Sequence, residues 1–98
     1  MDRLKETVRN VMIGYARKGL NSQSHLVQND DKSILSVVTM VQGKNASFMS
    51  LLVRVLGETV IIERDQNDKP LVDALIQAGI PRSQIVLAYA GEPVPESV

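Results

Sequence analysis

His25 is the only histidine in the chain, and imidazole is the side chain best suited to moving protons near neutral pH. To act as a general base it needs a nucleophile within hydrogen-bond reach and an acid that orients it. Serines and aspartates are plentiful, yet no motif fixes any of them beside His25, which falls in a polar loop or edge strand. A surface histidine is expected. Three acids, Glu63, Asp65 and Asp68, lie close enough in sequence to suggest a divalent-cation site. Alternation along a strand would send Glu63 and Asp65 to one face, while Asp68 reads as a first-turn acid of a following helix. The spaced oxygens, central glycine and closing glutamate of a calcium loop are missing. A solvated strand end is the expected reading, with no metal and no cofactor.

Other reactive patterns are equally thin. Gly43-Lys44 sits in a hairpin and lacks the spaced glycines of a phosphate loop. Cysteine is absent, which removes disulfides, thiolate zinc sites and cysteine nucleophiles. Arg3, Lys5, Arg9, Arg17 and Lys18 outnumber Asp2 and Glu6 in the first segment. Around a helix at ~100° per residue they scatter over the polar face and interleave with the acids, where a groove-binding helix would cluster them. The chain as a whole has 11 basic and 11 acidic residues. Direct nucleic-acid binding is therefore not expected as the main activity, and a weak DNA-binding regulator using this first helix is the alternative reading. No catalytic residue is assigned, and the chain reads as a non-enzyme.

The elements that would carry any binding surface follow from hydrophobic period and turn chemistry. The 98 residues imply one domain spanning 1–98, with a tail from about residue 91 that carries two prolines and is expected to fray. Leu4, Val8, Val11, Met12 and Tyr15 form one helical stripe within residues 2–18, with Gly19 as the stop and Gly14 as a candidate close approach to the sheet. A short strand near His25–Gln28 turns at residues 29–32 into Ser33–Val41, which is rich in β-branched residues. Residues 47–55 alternate, placing Met49, Leu51, Val53 and Val55 on a core face and Ser50 and Arg54 outward beside Phe48 and Leu52. A turn at Gly57 leads into the strand 59–65. Short turns make these an antiparallel meander of three to four strands. Asn67 then reads as an N-cap, with Leu71, Val72, Leu75 and Ile76 on the buried side of a second helix. Gly79 ends that helix, Ile80 should fold back on Leu75, and Pro81 forbids continuation. Residues 85–89 make a last short strand or extended packed segment. The fold class is α+β.

Arg3, Lys5, Glu6 and Arg9 interrupt any leader-like apolar run, and no stretch approaches the ~20 apolar residues of a membrane span. A cytoplasmic location without membrane contact is expected. Phe48, Leu52 and Ile34 fall opposite the presumed core face, which makes a homo-oligomer a natural expectation.

From about Asp31 to Tyr89 the sequence resembles the XisI family, the fdxN element excision controlling factors of cyanobacteria. The likeness lies in "ETVIIERD" (58–65), in "LVDALIQAGIPRSQIVLAY" (71–89) with its Ala-Gly-Ile-Pro corner, and in "DDKSILSVV" and "VQGKN" earlier. With the first helix it spans most of the chain. The sequence departs from the family pattern at Val60-Ile61-Ile62, where relatives commonly have a tryptophan, and after Asp65. It departs again after Tyr89, where Ala-Gly-Glu-Pro stands in place of an aromatic-His-Pro-Pro-like end. The resemblance implies a XisI-like fold and a regulatory role, with a XisH-like partner, in site-specific excision of a DNA element during heterocyst development. Candidate partner contacts on the meander and the strand after Pro81 are Phe48, Leu52, Arg64 and Tyr89.

Overall fold

The computed structural model describes residues 3–16, 22–41, 43 and 46–95. Helix α1 (Arg3–Ile13) precedes four strands, β1 (Ser22–Gln28), β2 (Ile34–Val41), β3 (Ala46–Leu56) and β4 (Thr59–Asp65). Helix α2 (Leu71–Gln77) and a 3₁₀ turn (Arg82–Gln84) lead to β5 (Ile85–Leu87) and a closing 3₁₀ turn (Ala88–Ala90). The strands form one sheet in the order β1-β2-β3-β4-β5. The first four pair antiparallel as hairpin neighbours, and β5 pairs parallel to β4. A parallel neighbour needs a crossover, and α2 supplies it.

Both helices lie on one face of the sheet. Val8 and Met12 of α1 and Leu71 and Leu75 of α2 are fully buried in a cluster with Leu35, Val37, Leu51, Val53, Val60 and Ile62. Ile80 and Ile85 complete it from the chain that follows α2. With a single phenylalanine and no tryptophan in the chain, aliphatic side chains fill this core almost alone. Tyr15 only borders it.

Several boundaries differ from expectation. Helix α1 ends at Ile13, five residues earlier than its stripe suggested. Gly14, Tyr15 and Ala16 donate to Val11, Met12 and Ile13, three residues back, so the last turn tightens instead of extending. Gly19 lies outside the described residues. Gly14 does not mark an approach to the sheet, because a Cβ there would meet only the Val11 carbonyl, at 3.3 Å. Strand β1 is longer than expected and begins at Ser22. Its turn into β2 uses Lys32 at φ 60°, with Asn29 and Asp31 side chains accepting the Ile34 and Ser33 backbone N–H groups.

Two β-bulges account for the remaining surprises. Val37 pairs with Leu51 but Val38 pairs with Met49, which leaves Ser50 as an extra residue in β3. Such an insertion reverses facing along the strand. Met49, expected in the core, is consequently 37% exposed. Phe48 sits opposite Thr39, on the helix-bearing side, and not on the outer face where alternation had put it. Ser50 is itself buried, its hydroxyl donating to the Val37 carbonyl at 3.2 Å. The second bulge, at Glu63, separates Val53–Ile62 from Leu52–Arg64. It breaks the expected match of Glu63 with Asp65: Asp65 now shares the core-side face with Leu51, while Glu63 pairs with outward-facing Arg54.

Candidate interaction surfaces

Asp65 organises the approach to α2. One carboxylate oxygen accepts the Leu71 N–H at 2.7 Å; the other accepts the Asn67 N–H at 3.1 Å and its side-chain amide at 3.0 Å. Asn67 is thus held by Asp65 and is not the N-cap. That position belongs to Pro70, which has no side chain able to cap, so a carboxylate six residues before Leu71 satisfies the first helical donor. Asp68 precedes the helix, and Asp73 is its first-turn acid. Across from this junction, the Tyr15 hydroxyl donates to the Lys69 carbonyl at 3.0 Å, tying the end of α1 to the start of α2. Partial burial raises the Tyr15 phenol above its ordinary value, and the charges of Asp65 and Asp73 add to the effect. Tyr89 is raised in the same way, by burial first and then by Asp65 and Glu92. A cleft of about 380 Å³ opens here between Val11, Tyr15, Asn67, Asp68 and Lys69.

The corner after α2 has the geometry its sequence demands. Ile80 N–H bonds to the Leu75 carbonyl at 3.1 Å and Gly79 N–H to the Ile76 carbonyl at 3.0 Å, the two bonds of a Schellman stop. Gly79 takes φ 101°, and Ile80 folds into the core. Gln84 then donates to the Glu58 carbonyl at 2.9 Å, fixing the corner to the β3–β4 turn. Beyond it Arg82 spans two partners, the Ile85 carbonyl at 2.6 Å and the Glu92 carboxylate at 2.7 Å. The other Glu92 oxygen accepts the Leu87 N–H at 2.9 Å. Those bonds lower the Glu92 carboxyl from its ordinary value, the Leu87 N–H first and Arg82 second. Glu92, which sequence placed at the start of the tail, is therefore fastened to β5, and Gly91 to Ala88 of the closing 3₁₀ turn.

The sheet face away from the helices carries a different chemistry. Ile34, Val38, Met40, Met49 and Leu52 share it with Val27, and Ile34, Met40 and Val27 are each 44% exposed or more. At the Ile34 end of this field Arg54 and Glu63 pair at 2.7 Å, so a neutralised ion pair borders the apolar side chains. Ile61, between Arg54 and Val86 on the neighbouring strands, is fully buried without belonging to the helix-side core.

The structure brings only two of the four candidate contacts together. Leu52 and Arg64 are cross-strand partners on the outer face. Phe48, 45% exposed, is on the opposite side. Tyr89, 43% exposed, lies in the closing 3₁₀ turn within the field of Asp65 and Asp73. His25 faces outward opposite Val38 on β1, three strands from Asp65 and on the other face. Among the described residues no three His, Cys, Asp or Glu side chains gather closely enough to hold a metal ion. None of the described helices is long and apolar enough to cross a membrane. Sequence reasoning missed the Asp65 cap and the Glu92 clamp. Pro70 was the available signal for the first, since a proline before a helix leaves the capping to another residue.

This is an α+β domain whose distinguishing features are a bulged meander, a βαβ closure and, among the described residues, a sheet face that carries no helix. A sequence model of the XisI protein family matches residues 1–96, and the chain belongs to that family. Among solved structures it is similar to a XisI-like protein from Anabaena variabilis, with a TM-score of 0.72 and 18% identity over 85% of this chain and 81% of that one. It is also similar to the fdxN element excision controlling factor XisI from Anabaena variabilis, with a TM-score of 0.67 and 17% identity over 87% and 88% of the two chains. At such identities the likeness establishes the fold. A comparison with curated protein sequences gave no match.

Proposed function

We propose that this chain is a non-catalytic regulatory protein that controls site-specific excision of a DNA element by contact with a XisH-like partner. The observation that carries this reading is the family match over nearly the whole chain, residues 1–96. The structure described as an fdxN element excision controlling factor adds support at the level of fold. The outer sheet face suits the role physically. Its exposed aliphatic and methionine side chains give a partner apolar area to bury, while Arg54 and Glu63 already satisfy each other. Leu52 and Arg64 form the centre of the proposed contact, with Phe48 and Tyr89 reserved for a partner that wraps around the sheet.

Co-expression with a XisH-like protein, followed by size-exclusion chromatography, tests the reading. Co-elution at micromolar concentration is expected, and Leu52→Glu should abolish it because a carboxylate would be desolvated in the contact. Separate elution of the two wild-type proteins would refute the proposal. The same preparation, mixed with labelled duplex at low salt, addresses the DNA-binding alternative. A shift that weakens steeply as salt rises would favour α1 as a phosphate-contacting element.

A further inference from the structure

The two borders of the sheet are treated differently. At the β5 border only three residues pair, and the Leu87 N–H is taken by the Glu92 carboxylate. At the β1 border seven residues, Ser22–Gln28, form an edge with no charged side chain and no proline. Among the described residues β1 has no strand neighbour other than β2. Edge strands are usually blunted by lysine, proline, bulges or shortness, because their open backbone groups template further pairing. None of those devices is present on β1.

Which backbone groups are open follows from the ladder. Asn29 N–H bonds to the Ile34 carbonyl, in register with the β1–β2 pairs. Alternation then points the backbone of Val27, His25 and Gln23 toward β2 and that of Gln28, Leu26, Ser24 and Ser22 toward the free side. An added antiparallel strand must keep both side-chain faces matched, so even-numbered residues meet even-numbered residues.

We propose that a second copy of this chain occupies that edge, pairing β1 to β1 about a two-fold axis at His25 to give a continuous ten-stranded sheet. This centre is the register that uses all seven residues. It sets Ser24 of one copy opposite Leu26 of the other, Gln23 opposite Val27, Ser22 opposite Gln28, and His25 opposite His25. No pair sets Lys, Arg, Asp or Glu against a like charge, and a chain of formal net charge +0 carries no overall repulsion against its copy. Val27, 51% exposed in the single chain, gains a cross-strand neighbour. The two outer faces become one, so self-pairing and a partner on that face are compatible. This inference does not rest on the XisH reading.

Sedimentation velocity on the full chain at micromolar concentration should show a dimer. Ser24→Pro removes an outward N–H at an edge position that tolerates proline, and the expected result is a monomer with an unchanged far-UV spectrum. Should that variant fail to fold, exposed His25 offers a second route. His25→Lys and His25→Glu each set like charges opposite one another and should weaken self-association roughly fivefold. An equimolar mixture of the two should recover it, a rescue that requires residue 25 to face residue 25. A strictly monomeric wild type would overturn the proposal, as would a dimer indifferent to all three changes or a mixture that stays monomeric. So would a wild type that is monomeric alone but loses a XisH-like partner on His25→Lys, since the edge would then receive a partner's strand.

Discussion

Two acidic residues carry more of this structure than their positions in the sequence suggest. Asp65 accepts three hydrogen bonds, one of them from the first helical N–H of α2. Asp65→Ala leaves those donors without their acceptor and should cost about 1–2 kcal/mol, the usual range for a lost helix cap, measured by urea unfolding. Asp65→Asn should also lower the Tyr15 and Tyr89 phenol pKa values, because the carboxylate charge is one of the influences raising them. Ultraviolet titration of tyrosinate absorbance reads that shift. Glu92 provides a pH test. Its folded-state pKa lies below the ordinary 4.5, so its contribution is present above 4.5 and is lost as pH falls through the folded value. The stability gap between wild type and Glu92→Gln should therefore be full at neutral pH and close progressively in acid below 4.5, as followed by thermal unfolding across that range.

At the scale of elements, the corner after α2 was the most legible part of the sequence and the bulged strands the least. Gly79, Ile80 and Pro81 each have one physical role, and those roles follow from residue type alone: positive φ, a contact folded back on the helix, and a bar to continuation. Gly79→Ala should cost about 1–2 kcal/mol from backbone strain at φ 101°, since nothing lies within 4 Å of the added Cβ to clash with it. Chemical denaturation measures it directly. By contrast, alternation in β3 predicted Leu51, Val53 and Val55 correctly and failed at Met49 and Phe48. The bulge at Ser50 is set by pairing with β2, and a hydroxyl bound to the Val37 carbonyl has no signature in a single strand. The same limitation misplaced Asp65 relative to Glu63. Stripe length overstated α1 because Tyr15 continues the apolar period while its hydroxyl is anchored on Lys69, outside the helix. Of the candidate contacts, the outward facing of Leu52 could be read in advance, whereas Phe48 is exposed on the helix-bearing side and not on the outer face where alternation put it. Their distribution over different sides of the sheet depended on bulges that could not be read in advance.

For the whole molecule, the one-sided arrangement decides what is sensitive to mutation. Leu75 is fully buried between α2 and the sheet, and Leu75→Ala should cost about 2–5 kcal/mol, evident in the denaturation midpoint. Leu52→Glu on the opposite face should leave that midpoint within about 0.5 kcal/mol of wild type if partner contact is its role, because a partly exposed site beside Arg64 can hydrate the new charge. The Arg54–Glu63 pair, with side chains 38% and 30% exposed, should contribute less than about 1 kcal/mol for the same reason. One feature at the far border has a consequence for assembly. Glu92 occupies the backbone donor that β5 would otherwise present, so a copy joined through β1 offers no complementary margin to a third. Head-to-tail contacts propagate into filaments when they fail to close, whereas a self-matched contact is exhausted by a single pairing. On the proposed β1 pairing, a glutamate that first looks like part of a trailing tail would cap the stoichiometry, and the polymer that an unguarded sheet invites would end at two.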